Sequence, residues 1–300
     1  MALLRTGGCY DREITPKYAI AKGLPGYRDA LACLRAVRAA MGYGEYLDAR
    51  NRRTKTVRPA DIDFKKARAI LTDLSGTLTE RVSKTVLAAY RFPVPPERLA
   101  RTSDEAVNAA IEMGGALALK IESEAIAHKS DAGAIRLNIQ GNDAIRAAFG
   151  AVIASATACD PTAKLDGVLV QKMATSGGTG IILGLASDAT FGPVVMVGLG
   201  GIHVEVLRDI AFRVPPIDND EAHAMLRELR AYPLLKGVRG QRPRAIDALC
   251  DLIVRLSWLG CDLADRIEEL DINPVLIYEA GKPLFVVDAL ISLRATGDAS

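Results

Sequence analysis

At 300 residues, with 49% hydrophobic and 25% charged side chains, the chain has an ordinary globular composition, enough core material for one large domain or two modest ones. A net charge of +2 and only 5% aromatics speak against a nucleic-acid partner, because there is neither a strong positive field nor a supply of base-stacking rings. Five scattered cysteines (Cys9, Cys33, Cys159, Cys250, Cys261) without CxxC spacing, and only three histidines, argue against a zinc site and a secreted disulfide framework.

No apolar run approaches the roughly 20 residues of a membrane span. The N-terminus, Met1-Ala2-Leu3-Leu4-Arg5, is too short and too polar for a secretory signal. The expectation is a cytoplasmic protein that does not use a membrane.

Residues 1–64 read as an N-terminal segment and residues 65–300 as the main domain. Gly23-Leu24-Pro25-Gly26 suggests a turn, and Asp29 to Ala40 a helix with apolar Ala30, Leu31, Leu34 and Val37, followed by Met41. Arg50 to Arg68 carries eight basic residues against Asp61 and Asp63, which reads as a solvated linker or, alternatively, a phosphate or partner contact.

From Asp73 to Tyr90 the pattern predicts a turn and then a helix capped by Thr79, with Val82, Val86, Leu87 and Tyr90 on one face. Phe92 to Pro96 is an extended connector because its prolines exclude a helix. Ser103 to Met113 reads as a helix capped by Ser103, with Ala106, Val107, Ala110 and Ile111 facing in.

Strands follow near 116–121 and 134–139, then a helix near 142–157 and a buried strand from Gly167 to Met173. Gly177 to Gly180 is a bend, and Ile181 to Ala186 and Pro193 to Leu199 are strands. A helix from Asn219 to Ala231, a loop from Pro233 to Pro243, a helix near 244–260 and strands near 267–277 and 284–291 complete the chain. Interleaved helices and strands, antiparallel in places, define an α+β or mixed α/β domain rather than a purely parallel one.

The stretch with the most chemistry is Ile126-Ala127-His128-Lys129-Ser130-Asp131-Ala132-Gly133. It lies between two apolar runs, the first ending in Lys120. Imidazole is nucleophilic near neutral pH, flanking cations neutralise phosphoryl oxygens, and Gly133 permits close backbone approach to an anion. His128 is therefore a candidate phosphoryl carrier. Lys120 is a point charge for a phosphate, or alternatively a solvated strand end. His203 and His223 lack such neighbours.

Gly198-Leu199-Gly200-Gly201 matches neither GxGxxG nor the Walker lysine pattern, so it reads as a strand turn. Near the C-terminus, alternation puts Asp271 and Asn273 on one strand face, and an antiparallel neighbour could bring Asp288 beside them. A carboxylate and an amide oxygen of this kind can hold a Mg²⁺ that keeps waters and takes phosphate oxygens.

Four ordered strings carry a family resemblance: His128-Lys129-Ser130-Asp131-Ala132-Gly133, Phe191 to Ile202, Tyr232 to Gly240, and Glu269-Leu270-Asp271-Ile272-Asn273-Pro274. Together, over roughly residues 65–294, they resemble the ATP-grasp part of the NDP-forming acyl-CoA synthetases, the ADP-forming acetate–CoA ligase group related to succinyl-CoA synthetase. The resemblance implies an ATP-grasp fold whose two lobes close on ATP (or ADP) and Mg²⁺, preceded here by a short helical segment.

It further implies that Lys120 contacts phosphates, that the strand ending in Gln171, Lys172 and Met173 reads adenine largely by backbone, and that Ser130, Gly133, Gly200 and Gly201 line the nucleotide's surroundings. By the same resemblance Asn273 and Asp288 are the Mg²⁺ ligands, Asp271 an acid near phosphoryl transfer, and His128 the phosphohistidine. The implied activity is acid–thiol ligation, in which a carboxylic acid becomes an acyl phosphate and its acyl group passes to CoA.

Residues 20–47 resemble the tail of the CoA-ligase portion that precedes ATP-grasp in fused members. The expected partner is thus a separate CoA-binding, α-like subunit in an oligomer, with a truncated, inactive nucleotide- or partner-binding paralogue as the alternative. An ATP-grasp ligase joining a carboxylate to an amine is disfavoured by the phosphohistidine loop.

Three positions depart from the family pattern. Ala134 stands where a second glycine is usual, Lys172 is atypical at the hinge, and Thr179-Gly180 replaces the end of a Gly-Gly-x-Glu segment. Loss of that anionic acceptor implies a nucleotide affinity lower by roughly tenfold to a hundredfold.

Overall fold

The computed structural model describes residues 3–4, 23, 26–27, 29–52, 56–126, 129, 131–200, 209–238 and 240–295. Contacts divide the chain into two units, Met1–Thr56 and Val57–Ser300. In the first, β1 (Leu3–Leu4) pairs in parallel with β2 (Gly26–Tyr27), and α1 (Ala30–Arg52) follows. The Asp29 carboxylate accepts from Ala32 N–H, satisfying one of the open donors at the helix start. This helix runs twelve residues past the expected Ala40. Cys33 is buried, while the apolar residues Leu31, Leu34, Val37 and Met41 are exposed.

The second unit holds two sheets, each with its own core. The smaller has the order β3 (Glu97–Ala100), β6 (Gly167–Lys172), β4 (Leu117–Glu122), β5 (Ile135–Ile139), all antiparallel. Helices α4 (Ser103–Met113) and α5 (Asn142–Cys159) supply Val107, Ala110, Ile145 and Val152 to its core. The N-cap of α4 is Thr102, whose hydroxyl accepts from Glu105 N–H, so Ser103 is already the first helical residue. Ile111 is 65% exposed rather than facing in, because Ala106, Val107 and Ala110 fill the narrow contact with the sheet.

The larger sheet runs β11 (Phe285–Val286), β10 (Ile267–Ile277), β7 (Thr179–Asp188), β8 (Gly192–Leu199), β9 (Ile210–Arg213), with β12 (Ala289–Leu293) also pairing β10. Its core collects α3 (Glu80–Ala89), through Val86 and Leu87, and α8 (Ile246–Asp262), through Ile253 and Leu256. The expected cap of α3 holds, with Thr79 accepting from Val82 N–H, and Val86, Leu87 and Tyr90 are fully buried. The helix α6 is shorter than expected, spanning Asn219–Glu228, and α7 (Tyr232–Leu235) forms inside the expected loop.

The basic stretch is not merely solvated. Phe64–Ile70 forms a helix, α2, capped by the Asp63 carboxylate. The Arg58 guanidinium pairs with Asp262 and lies 5.0 Å from the Phe64 ring centroid and 5.1 Å from that of Trp258. Arg68 makes a two-pronged ion pair with Asp265. These arginines clamp the entry of the second unit to the end of α8, with apolar stems and rings packed together.

Among the described residues, no helix is long and apolar enough to cross a membrane.

Candidate nucleotide site

Lys120 lies inside β4, not at its solvated end, because the strand continues through Ile121 and Glu122 and all six of its residues are buried. An ammonium out of water must find partners. Lys120 Nζ donates to Glu80 Oε1 at 2.7 Å and to Val287 O at 3.1 Å. Glu80 stands in the first turn of α3, and it also binds Lys84 Nζ through Oε1 and faces Lys129 Nζ at 2.9 Å through Oε2. Lys84 continues to Glu97 on β3 at 2.9 Å. Burial would raise the Glu80 carboxyl, but the charges of Lys120, Lys84 and Lys129 outweigh it and hold the group well below the ordinary carboxylate range. Burial opposes the charge on Lys129 and Lys84, yet the acids around them keep both above their usual value.

Beside Lys120 opens a cavity of 260 Å³, lined from both sheets. Ala118, Ile135, Leu137, Met173 and Leu276 make it apolar, and Lys120, Gln171, Lys172, Asn273 and Asp288 supply its polar groups. An apolar slot with a few convergent polar groups is the usual form of a small-molecule site.

Strand β10 brings in Asn273, whose N–H donates to Asp288 O at 3.2 Å, so the two residues face each other across the strand pair. Lys129 Nζ lies 3.9 Å from the Asp288 carboxylate. Burial first, and then the Glu80 charge, push the Asp288 carboxyl upward against the pull of Lys120, Lys129 and Lys84.

Asp271 lies outside the cavity wall, paired across the sheet with Leu290 and Gly184. Burial, reinforced by Asp288 and Glu269, raises its carboxyl. Gly133 adopts φ +59°, which a side chain would resist, and the turn there is closed by Ala134 N–H donating to Lys129 O at 2.9 Å. Ala134 itself has no positive φ, so its departure from glycine introduces no strain. Gly200 sits against Gly180, where an added Cβ would lie 2.9 Å from the Gly180 carbonyl carbon, and neither residue lines the cavity. His128, Ser130 and Gly201 lie outside the described residues, as does His203.

At the strand end, Lys172 N–H donates to Pro96 O and Met173 N–H to Ala116 O, and Lys172 Nζ donates to Met113 O at 3.0 Å. Those donors are spent within the protein. Ala174, the next residue, also lines the cavity. Gln171 is 2% exposed. Its Nε2 donates to Val287 O, while its Oε1 has no hydrogen-bond partner among the described residues.

The donor set fits Mg²⁺. Asp288 and Asn273 both line the cavity and carry the hard oxygen donors such an ion takes, and no described cluster of three or more His, Cys, Asp or Glu side chains offers a full protein cage. That is the arrangement of a metal shared with phosphates and water. Gln171 Oε1, buried and without a partner among the described residues, is a further acceptor that an incoming ligand could satisfy.

Sequence reasoning missed Glu80 and Lys84. A glutamate one residue after a threonine cap is an ordinary helix start, and only contacts with Lys120 and Lys129, 40 and 49 residues away, mark it as part of a site.

Comparison with known proteins places the fold in a family. The model of the ATP-grasp domain matches residues 69–293. The chain is 42% identical over 217 residues to the beta subunit of acetate–CoA ligase [ADP-forming] II of Pyrococcus furiosus, covering 72% of this chain and 92% of that protein. It is 39% identical over 264 residues to acetate–CoA ligase [ADP-forming] I of Archaeoglobus fulgidus, covering 87% of this chain but only 38% of that longer protein. Among solved structures it superposes with a TM-score of 0.66 and 37% identity on acetyl-coenzyme A synthetase 1 of Ca. Korarchaeum cryptofilum, over 76% of this chain and all of that one. That structure is a complex with coenzyme A and Mg-AMPPCP, its phosphohistidine segment pointing towards the nucleotide binding site. The chain belongs to the ATP-grasp family, in the branch of the ADP-forming acyl-CoA ligase beta subunits.

Proposed function

We propose that this chain is the ATP-grasp component of an ADP-forming acid–CoA ligase, working in the cytoplasm with a separate CoA-binding, α-like subunit in an oligomer. The observation that carries the reading is one cavity lined from both sheets, with Lys120, Gln171, Lys172, Met173, Asn273 and Asp288 in its wall.

The apolar slot takes the base, Lys120 a phosphate oxygen, and Asn273 and Asp288 hold Mg²⁺. When bound, the metal neutralises charge on the phosphate oxygens. The γ-phosphoryl passes to an imidazole nitrogen of His128, forming a P–N bond as the P–O bond to ADP breaks. A carboxylic acid then takes the phosphoryl as an acyl phosphate, and the CoA thiol displaces inorganic phosphate from it. Asp271 acts near the transferring group, and Ser130, Gly133, Gly200 and Gly201 shape the path. Gly180, with no side-chain acceptor, favours a second reading in which the chain binds nucleotide without turnover.

Calorimetry with MgADP and MgATP, followed by an acyl-CoA assay with a CoA-binding subunit added, tests the proposal. Micromolar binding and acyl-CoA formation support ligase function. Binding without turnover or phosphorylation supports the second reading, and no binding overturns both.

A further inference from the structure

Glu80 carries two separate duties on its two oxygens. Oε1 takes Lys84 and Lys120, the residue that reaches the nucleotide cavity. Oε2 faces Lys129 at 2.9 Å, out of line for a good hydrogen bond, and finds no hydrogen-bond partner among the described residues. Glu80 is 1% exposed and Lys129 7%, so neither charge can turn to solvent for compensation.

Lys129 is also the first residue of the turn that Ala134 N–H closes on Lys129 O. Arg136 fixes the far side of that turn by donating to Gly133 O at 2.6 Å, and Ala134 O accepts from Ile121 N–H in the neighbouring strand. The turn thus has a backbone anchor on β4, a side-chain anchor from Arg136 on β5 and another from Glu80 on α3. In sequence, Lys129 is the residue directly after His128.

We propose that Glu80 is a positioning residue that tethers the turn following His128 to the phosphate end of the nucleotide cavity. One carboxylate on α3 sets the position of both Lys120 and Lys129, so the phosphate-binding lysine and the histidine segment share a common reference point. The reason is electrostatic and steric: a buried carboxylate with three ammonium partners has one low-energy arrangement, and moving any arm strands charge out of water. This rests on the reading of His128 as the phosphoryl carrier, but the tether can be measured without it.

The test is amide hydrogen exchange on the full chain, followed in peptides covering residues 123–136, with β10 as the internal reference. Glu80→Gln and Lys129→Met are each expected to speed exchange of the Ala134 amide and its neighbours at least tenfold, with β10 unchanged. Glu80→Asp should fall between wild type and Glu80→Gln. The double variant should exchange no faster than either single one, because both break the same link.

Unchanged exchange in a folded Lys129→Met, or additive effects in the double variant, would overturn the tether. Should Glu80→Gln fail to fold, Lys129→Met decides alone, since it leaves the Oε1 pairs in place. Phosphate incorporation from labelled ATP, measured in parallel, should slow at least tenfold in both variants. If wild type takes no label, the His128 reading fails while the exchange result still decides the tether.

Discussion

Lys120 on β4 and Glu80 on α3 form a buried ion pair at 2.7 Å, and Val287 O takes a second N–H of the same ammonium. An ammonium has three donors, so one remains for a ligand at the cavity. Lys120→Met should lower MgADP affinity tenfold or more in calorimetry. It should also lower the melting temperature, because Lys120 and Glu80 are both buried and its loss removes one of the three ammonium groups that compensate the carboxylate. Unchanged affinity would remove Lys120 from the site.

The same carboxylate makes stability depend on acid. The folded Glu80 carboxyl titrates well below its usual 4.5, so its contribution is fully present above that value and is lost as pH falls beneath it. The melting temperature of wild type should fall from about pH 5 to pH 3 more steeply than that of Glu80→Gln. Parallel curves would show that the three lysines do not hold the ionised form.

Gly180 can accept a side chain. An added Cβ would meet Pro274 Cβ at 3.5 Å and the Gly200 carbonyl carbon at 3.8 Å, both ordinary contacts, and the backbone has no positive φ. Its neighbour Pro274 lines the cavity, so a longer side chain at position 180 can reach a ligand past it, and Gly180→Glu should raise nucleotide affinity by about tenfold to a hundredfold, the worth of one hydrogen bond to a charged acceptor. Gly200→Ala is the opposite case. Its Cβ would lie 2.9 Å from backbone of Gly180, so it should destabilise by about 1–3 kcal/mol in denaturant titration.

Arg58→Ala should destabilise by about 1–3 kcal/mol, through loss of the Asp262 pair and of two ring contacts. Nucleotide affinity should not change, since Arg58 is not part of the cavity wall. A large change in affinity with stability intact would reverse that assignment.

Much of the fold was legible because the longer elements repeat their apolar residues at 2 or 3.6 positions. The Thr79 cap and the buried strand from Gly167 were readable on that basis. Short elements such as β3, β9 and α2 were not, since four to seven residues hold too few repeats to show a period. Within the site, Asn273 and Asp288 could be paired in advance from alternation and an antiparallel neighbour. Glu80 could not, because its role exists only through partners brought in by tertiary packing. The hinge residues were legible as a strand end, but not that their N–H groups are used by Pro96 and Ala116.

The most direct test of the account is phosphorylation of His128. The full chain, incubated with MgATP labelled at the γ-phosphate, should acquire an acid-labile, alkali-stable label that is absent in His128→Ala and strongly reduced in Lys120→Met. A label that persists in His128→Ala would contradict the account.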